Sequence, residues 1–156
     1  MDVFVDTNVL VYARDASEPE KQPVALAWIE RLWREQRGRL SYQVLHEFYV
    51  TVTGKLDPGL PSDDARQEVR ALLAWRPLSP DQATLSRAWE VQDRYGFSFW
   101  DASIVAAAQL SGCGLLLTED LQDGQELDGL RVVDPFRHAL DQILGPAPAG
   151  PALEGI

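Results

Sequence analysis

The sequence predicts an α/β domain with a mainly parallel sheet. Short apolar segments of strand length, such as the β-branched Asp2–Val5, suit central parallel strands that are covered on both faces. Segments with helical periodicity separate these strands along the chain, and that alternation favours a parallel sheet with right-handed crossovers. The length of 156 residues suits one domain with a single core.

The first half of the chain should contain two strands and two helices. After the strand Asp2–Val5, a helix should begin near Pro23, because proline is well placed as a first helical residue. The polar face of this helix carries Arg31, Arg34 and Arg37, and its apolar stripe contains Ala25, Ile29, Leu32 and Trp33. A short second strand near Arg39–Ser41 then leads to a helix over Gln43–Thr53.

The second half should contain four helices and two strands. Ser62 is the expected N-cap of the first helix, Ser79–Gln82 resembles a capping box that opens the second, and Ser98 caps the third. The remaining expected elements are the strands Leu115–Thr118 and Leu130–Val133 and the helix Pro135–Leu144.

The end of the chain differs in composition from the rest. Residues 145–156 consist largely of glycine, proline and alanine, which is typical of a disordered end. No repeat and no change in composition divides the preceding segment. We therefore expect one domain over residues 1–144 and a flexible tail over residues 145–156.

Composition predicts a soluble cytoplasmic protein. The formal charge of −10 argues against a generic nucleic-acid-coating surface, although a nucleic acid held locally by arginines and a metal remains compatible. Cys113 is the only cysteine, which excludes an intramolecular disulfide and favours the cytosol. The start at Met1-Asp2 lacks a basic leader pattern, so we expect no secretory signal. The low-charge segment Tyr95–Thr118 contains Asp101 and a glycine break, so we expect a buried helix and strand there and no membrane span.

Three carboxylates are isolated within segments that contain no other charge. They are Asp6 in Val3–Ala13, Glu47 in Leu40–Gly54 and Asp101 in positions 95–118. In the last segment, the average charge content of the chain predicts about six charged residues. Burying a lone carboxylate is costly unless positive charge meets it, and these segments contain no lysine or arginine. A divalent metal ion is the best candidate for a shared partner.

Asp120 adds a fourth acid to this group. It follows the apolar run Leu115–Leu117, as Asp6 follows the first strand, and sites in open α/β sheets form beyond the carboxyl ends of strands. Glu47 and Asp101 lie near the starts of helices and can reach the same edge. Four converging carboxylates repel one another unless cations hold them together, and oxygen-only ligands favour Mg²⁺ or Mn²⁺ over zinc. Such an ion can promote attack on a phosphate group.

Each acid also has a simpler structural interpretation. Asp101 can form a capping box with Ser98, and Asp6 can belong to an ordinary strand-end turn. Glu47 can occupy a solvent-facing helix position. Asp120 is one of three neighbouring acids, and composition does not distinguish among them. A cap explains an acid at position 101 but not the absence of every other charge around it. The joint pattern therefore carries the prediction, and no single acid does. His46, His138 and Cys113 show no ligand or nucleophile spacing.

Four blocks of the sequence carry a family pattern. In chain order they are VFVDTNVLVYA, LSYQVLHEFYV, FSFWDASIVAAA and LLLTEDLQDGQELDGLRVVDPF, and they extend to about His138. Together they resemble the PIN-domain nucleases, specifically the VapC-type toxins of bacterial toxin–antitoxin pairs. The resemblance implies a three-layer α/β/α sandwich, cleavage of RNA that depends on Mg²⁺ or Mn²⁺, and a homodimer. It also implies a small VapB-like antitoxin whose segment occupies the acidic groove.

The resemblance also assigns roles to particular residues. It carries the family's catalytic and metal-binding acids to Asp6, Glu47, Asp101 and Asp120. Two further residues match supporting positions of the family, which are Asn8 beside the first acid and Thr118 beside the last. Asp123 stands where the family is variable, so we assign it no catalytic role.

The leading hypothesis is a metal-dependent endoribonuclease that acts as a growth-inhibiting toxin of a VapBC-type pair. One alternative is a non-catalytic PIN-like module that binds RNA or a protein, and the presence of all four acids weighs against it. Another is a different Mg²⁺-dependent phosphoryl-transfer enzyme with Asp6 as covalent nucleophile. Those enzymes commonly have a second acid two residues later, where this chain has Asn8.

Overall fold

A five-stranded sheet forms the centre of the domain in the computed structural model, which describes residues 1–148. In chain order its strands are β1 (Val3–Val5), β2 (Gly38–Arg39), β3 (Leu115–Leu117), β4 (Glu126–Leu127) and β5 (Leu130–Val133). Their spatial order is β2–β1–β3–β5–β4, and only the β4–β5 pair is antiparallel. The predicted α/β class with a mainly parallel sheet is confirmed.

Seven α-helices accompany this sheet within residues 1–148. They are α1 (Thr7–Tyr12), α2 (Lys21–Glu35), α3 (Tyr42–Gly54), α4 (Ser62–Leu72), α5 (Gln82–Tyr95), α6 (Phe99–Leu110) and α7 (Leu140–Leu144). A 3₁₀ turn over Leu73–Trp75 extends α4. Helix α1 packs against α2 and α3, α3 packs against α4, and α5 packs against α6. None of these helices has the length and apolar character needed to cross a membrane.

The two central strands are buried over their whole length. All three residues of β1 and all three of β3 are buried. Because consecutive side chains of a strand point to opposite faces, burial at every position requires helices on both faces of the sheet. The sandwich architecture that the resemblance implies is therefore confirmed.

The carboxyl ends of the central strands lie side by side. Val5 of β1 pairs with Leu117 of β3, which in turn pairs with Val133 of β5. The next residues continue this alignment, since the Asp6 amide donates to the Leu117 carbonyl at 3.0 Å and the Thr118 amide donates to the Val133 carbonyl at 3.0 Å. The residues that follow β1 and β3 thus emerge at one edge of the sheet.

Several element boundaries differ from the sequence prediction. Helix α1 was not predicted, because its short apolar run has no helical stripe and follows the strand directly. Helix α2 begins at Lys21, so Pro23 lies inside its first turn. The capping box of α5 is formed by Asp81 and Thr84, slightly later than predicted. The predicted last helix is confined to Leu140–Leu144. Of the predicted tail 145–156, residues 149–156 lie outside the described residues.

The prediction that Arg31 lies on a polar face was wrong. Its side chain is 2% exposed, and its guanidinium contacts Glu35 on α2 and Asp141 on α7, the latter at 2.8 Å from Nη1. The same group donates to the backbone carbonyl of Leu144 at 3.3 Å. Helix α7 covers this side of α2, which a helical pattern considered alone does not reveal.

Candidate active site

Asp6 lies at the centre of the candidate site, directly after β1. It is the N-cap of α1, and its Oδ1 accepts a hydrogen bond from the backbone amide of Thr7 at 2.7 Å. Its Oδ2 accepts from the Thr118 hydroxyl at 2.9 Å and from the Asn8 side-chain amide at 3.2 Å. The residue is only 8% exposed. All of these donors are neutral, and no cationic side chain within residues 1–148 pairs with this buried carboxylate.

The side-chain amide of Asn8 joins the residues that follow β1 to those that follow β3. Besides Asp6, its Nδ2 lies 3.0 Å from Thr118 Oγ1 and 3.1 Å from Asp120 Oδ2. Thr118 is fully buried, and its hydroxyl oxygen accepts from the backbone amide of Asp120 at 3.1 Å. These contacts make Asp6, Asn8, Thr118 and Asp120 one hydrogen-bonded unit, with the amide nitrogen where three oxygens converge.

Glu47 reaches this edge from the middle of α3. Its Oε2 accepts from the Thr7 hydroxyl at 2.7 Å, and its Oε1 accepts from the Gln43 side-chain amide at 3.0 Å. Thr7 therefore bridges two acids, because its backbone amide binds Asp6 while its hydroxyl binds Glu47. Glu47 is exposed to solvent.

Asp101 lies in the first turn of α6. Its backbone amide donates to the Ser98 hydroxyl at 3.2 Å, which is one of the two bonds of a capping box. The reciprocal bond to its carboxylate is absent within the described chain, whereas both bonds are present at the start of α5. The Asp101 carboxylate is also without an ion pair in residues 1–148. The cap therefore uses the backbone of Asp101 and leaves its carboxylate available.

Electrostatic repulsion couples the four acids. Burial raises the pKa of Asp6 to about 6, and the charges of Asp120 and Glu47 contribute to the increase. Partial burial also raises the pKa of Asp120, with additional repulsion from Glu119 and Asp101. Repulsion thus runs from Glu47 through Asp6 and Asp120 to Asp101, although Asp101 has no hydrogen bond to the other three.

The site fits a divalent cation by ligand type and by charge. Carboxylate, amide and hydroxyl oxygens are the ligands that Mg²⁺ and Mn²⁺ prefer, and the buried Asp6 has no cationic partner among the described residues. Within residues 1–148, no three acidic, histidine or cysteine side chains lie close enough together to hold a metal ion by themselves. The Asn8 nitrogen, a donor, lies between the Asp6 and Asp120 carboxylates. Metal binding therefore requires this amide to turn or move.

Asp123 belongs to a separate set of contacts. Its Oδ1 accepts from the backbone amide of Asp134 at 2.9 Å, and its Oδ2 lies 2.8 Å from His138 Nε2. The hydrogen bond from Asp134 is the main cause of its lowered pKa, to which His138 also contributes. Asp123 thus joins the loop after β3 to the segment after β5.

Three residues beside the site were not predicted from the sequence, namely Thr7, Lys21 and Glu119. Thr7 bridges Asp6 and Glu47, and its position next to the first acid was the available signal. Lys21 contacts Glu119, the neighbour of Asp120, at 2.9 Å. Lys21 and Glu119 are separated by 98 positions, so no local pattern indicates this contact.

Similarity to a known protein family extends over most of the chain. Residues 3–134 match the PIN domain family. The chain belongs to that family. The matched range includes all four acids together with Asn8 and Thr118, and it ends before α7.

A solved structure has the same fold as this PIN domain. It is described as a toxin–antitoxin complex from Klebsiella pneumoniae, and it matches with 23% sequence identity and a TM-score of 0.55. The match covers 86% of this chain and 98% of the other chain. At this identity the similarity establishes the fold alone. No curated protein matches the sequence.

Proposed function

We propose that this PIN domain is a metal-dependent endoribonuclease of the VapC type, the growth-inhibiting toxin of a toxin–antitoxin pair. Family membership supports a nuclease, because PIN domains are generally nucleases that use divalent metals. The observation that carries the proposal is the buried Asp6, which has only neutral donors and is repelled by Glu47 and Asp120. A carboxylate is costly to retain in such a place without a cation.

The four acids and their neighbours have different proposed roles. The metal ligands would be Asp6, Glu47, Asp101 and Asp120, with Asn8 and Thr118 in supporting positions. When bound, Mg²⁺ or Mn²⁺ supplies the positive charge that activates water and neutralises the phosphodiester. Thr118 and Asn8 orient Asp6 and Asp120 through hydrogen bonds. Because the Asp101 carboxylate has no partner in the described chain, it could join the metal ligands without breaking an existing contact.

Cleavage of RNA by the purified chain tests this proposal. We expect cleavage in Mg²⁺ or Mn²⁺, none in EDTA, and loss of cleavage in Asp6→Asn. Asparagine can keep the N-cap of α1 through its one acceptor oxygen, while it removes the charge and replaces the other oxygen with an amide group. Asp63→Asn is the matched control, because Asp63 is also an acid at the start of a helix and its side chain is 98% exposed. Cleavage that persists in EDTA, or equal rates for Asp6→Asn and the parent, would contradict the proposal.

The proposed toxin requires an inhibitor. We propose a small VapB-like antitoxin that places a basic side chain among the four acids, and a homodimeric toxin. The net charge of −10 favours encounter with a basic segment. The structure of the Klebsiella pneumoniae complex supports a toxin–antitoxin role by similarity of fold. Purification from the native operon should recover a small basic partner, and sedimentation should give twice the mass of 17.4 kDa for the free toxin.

One observation favours a second candidate, a PIN domain that binds RNA or protein without cleaving. The Asn8 amide occupies the point between Asp6 and Asp120, and the acids of residues 1–148 form no closely spaced triad. Calorimetric titration with Mn²⁺ separates the two candidates. Binding that is lost in Asp6→Asn supports the nuclease, and absence of binding in the parent supports the non-catalytic module.

A further inference from the structure

A second charged cluster lies beside the acids of the candidate site. We define the Lys21 cluster as Tyr12 of α1, Lys21 of α2, Glu119 of the loop after β3, and Phe136. The Lys21 ammonium lies 2.9 Å from Glu119 Oε2 and 3.3 Å from the Tyr12 hydroxyl. The Tyr12 hydroxyl donates to the other oxygen of Glu119. Both oxygens of the Glu119 carboxylate are therefore held.

Two aromatic rings complete the Lys21 cluster. The Lys21 ammonium lies 4.7 Å from the centroid of the Tyr12 ring and 5.1 Å from that of the Phe136 ring. The two rings meet edge to face at 5.2 Å. Cation–π contacts of this kind favour a charged ammonium, so the cluster holds Lys21 between a carboxylate and two rings. The side chains of Lys21 and Glu119 are 36% and 21% exposed.

We propose that Lys21 and Tyr12 are positioning residues for Asp120. By holding Glu119, they fix the turn over residues 118–120 and keep a fifth carboxylate out of the acidic site. This inference rests on the proposed nuclease function, because it assigns a role toward the same acids. It concerns residues to which neither the family match nor the sequence pattern gives a function.

The backbone shows how the Lys21 cluster reaches the site. Glu119 stands between Thr118 and Asp120, and its own amide lies 3.4 Å from the Asn8 side-chain oxygen. The next amide, that of Asp120, donates to the Thr118 hydroxyl. The side chain of Glu119 is thus anchored on one side of the turn while its backbone contacts the site on the other. Rotation about the Glu119 backbone moves the Asp120 carboxylate, and the Lys21 cluster restricts that rotation.

The charge of Glu119 also affects the site. Glu119 directly precedes Asp120 in the chain, so its negative charge lies next to the acids of the site even in its anchored position. The hydrogen bonds from Lys21 to Glu119 and Tyr12 raise the pKa of Lys21, so the neutralising cation stays charged. Without Lys21, Glu119 would add an uncompensated charge next to acids that already repel one another.

An alternative role for Lys21 is direct contact with an RNA phosphate. The ammonium has three N–H donors, and two of them are directed at Glu119 and Tyr12. The two rings restrict approach to the remainder of the group. These contacts favour the positioning role, and the kinetic experiment distinguishes the two.

The kinetic experiment compares Lys21→Met with Lys21→Arg in RNA cleavage. We expect Lys21→Met to lower kcat about tenfold with KM unchanged, which is the size of effect typical of residues that orient metal ligands. Lys21→Arg should restore most of the rate, since a guanidinium also binds a carboxylate and lies over aromatic rings. Lys21→Met combined with Glu119→Gln should be no slower than the slower single variant, because both act through one contact.

A phosphate contact gives a different result. Lys21→Met would then raise KM and reduce the salt dependence of RNA binding. The increase in KM would be the same in the parent and in the Glu119→Gln variant. Additive effects of the two substitutions, or a change confined to KM, would overturn the positioning role.

Amide hydrogen exchange tests the inference without any cleavage assay. In Lys21→Met, exchange of the amides of Glu119 and Asp120 should become faster, while the amides of β1 and β3 keep their rates. Lys21→Arg should leave all of these rates unchanged. This measurement decides the positioning role even if the parent protein cleaves no RNA, which would contradict only the proposed function. Unchanged exchange at Asp120, or an equal increase throughout the sheet, would overturn the inference.

Discussion

Arg31 and Asp6 are both buried charged residues, with exposed fractions of 2% and 8%, but their surroundings differ in charge. The Arg31 guanidinium meets two carboxylates, those of Glu35 and Asp141, and a backbone carbonyl. The Asp6 carboxylate meets neutral donors and is repelled by two other acids. A buried charge with opposite charges around it fits a structural role. A buried charge without them marks a place where a ligand is expected to supply the missing charge.

The largest expected effect is a loss of RNA cleavage on substitution in the acidic site around Asp6, with little change in stability. Asp101→Ala should reduce RNA cleavage to below about one hundredth of the parent rate. Substituting a residue that only orients a metal ligand typically lowers activity by about 10- to 100-fold, and loss of the ligand itself should lower it further. The free energy of unfolding should change by less than about 0.5 kcal/mol, since the Asp101 carboxylate has no partner in the described chain. Cleavage rates and urea unfolding measured on the same preparation check both values. An active Asp101→Ala protein would remove Asp101 from the site.

The second prediction applies the same comparison to Arg31. Arg31→Met keeps the apolar stem and removes the charge, and we expect a loss of about 2 kcal/mol in the free energy of unfolding. Glu35→Ala should cost more, because it leaves a buried guanidinium without its nearest carboxylate. Urea unfolding at neutral pH measures both. The folded fraction of each variant should cleave RNA at the parent rate. A lower cleavage rate under conditions where the variant is fully folded would show that α7 contributes to the site.

Metal addition should affect only the region of Asp6. A ligand at a hundred times its dissociation constant stabilises the native state by about 2.7 kcal/mol, so Mn²⁺ should raise the Tm of the parent by several degrees. Asp101→Asn should reduce this shift, whereas Arg31→Met should retain it from a lower starting Tm. Scanning calorimetry with and without EDTA checks the prediction. Equal melting temperatures in Mn²⁺ and EDTA for the parent would exclude a metal site among these acids.

The smallest expected effect is at residues outside both regions. His46→Ala should leave cleavage unchanged, because His46 is exposed and forms no hydrogen bond with any of the four acids. Cys113→Ser should also leave it unchanged, since burial raises the pKa of the Cys113 thiol to about 12 and keeps it protonated. A loss of cleavage in either variant would indicate chemistry that involves an imidazole or a thiol.

The predictable part of the molecule is the part that local composition controls. Strands β1 and β3 are short apolar runs, and isolation of charge was enough to indicate Asp6, Glu47 and Asp101 as candidate site residues. Contacts between distant segments were not predictable. Arg31 was assigned to the polar face of its helix because nothing in that helix indicates that α7 covers it.

The same limit applies within the candidate site. Asn8 was predicted as a supporting residue, but the position of its nitrogen between two carboxylates depends on the alignment of β1 with β3.

Helix α1 is only six residues long, yet with its cap it supplies contacts to three separate segments. Thr7 binds Glu47 of α3, Asn8 binds the residues after β3, and Tyr12 accepts a hydrogen bond from Lys21 of α2. Inserting one residue between Asn8 and Tyr12 would rotate everything beyond it by about 100° around the helix axis. Changes in length among descendants of this gene should therefore accumulate in loops such as 55–61 and be absent from α1.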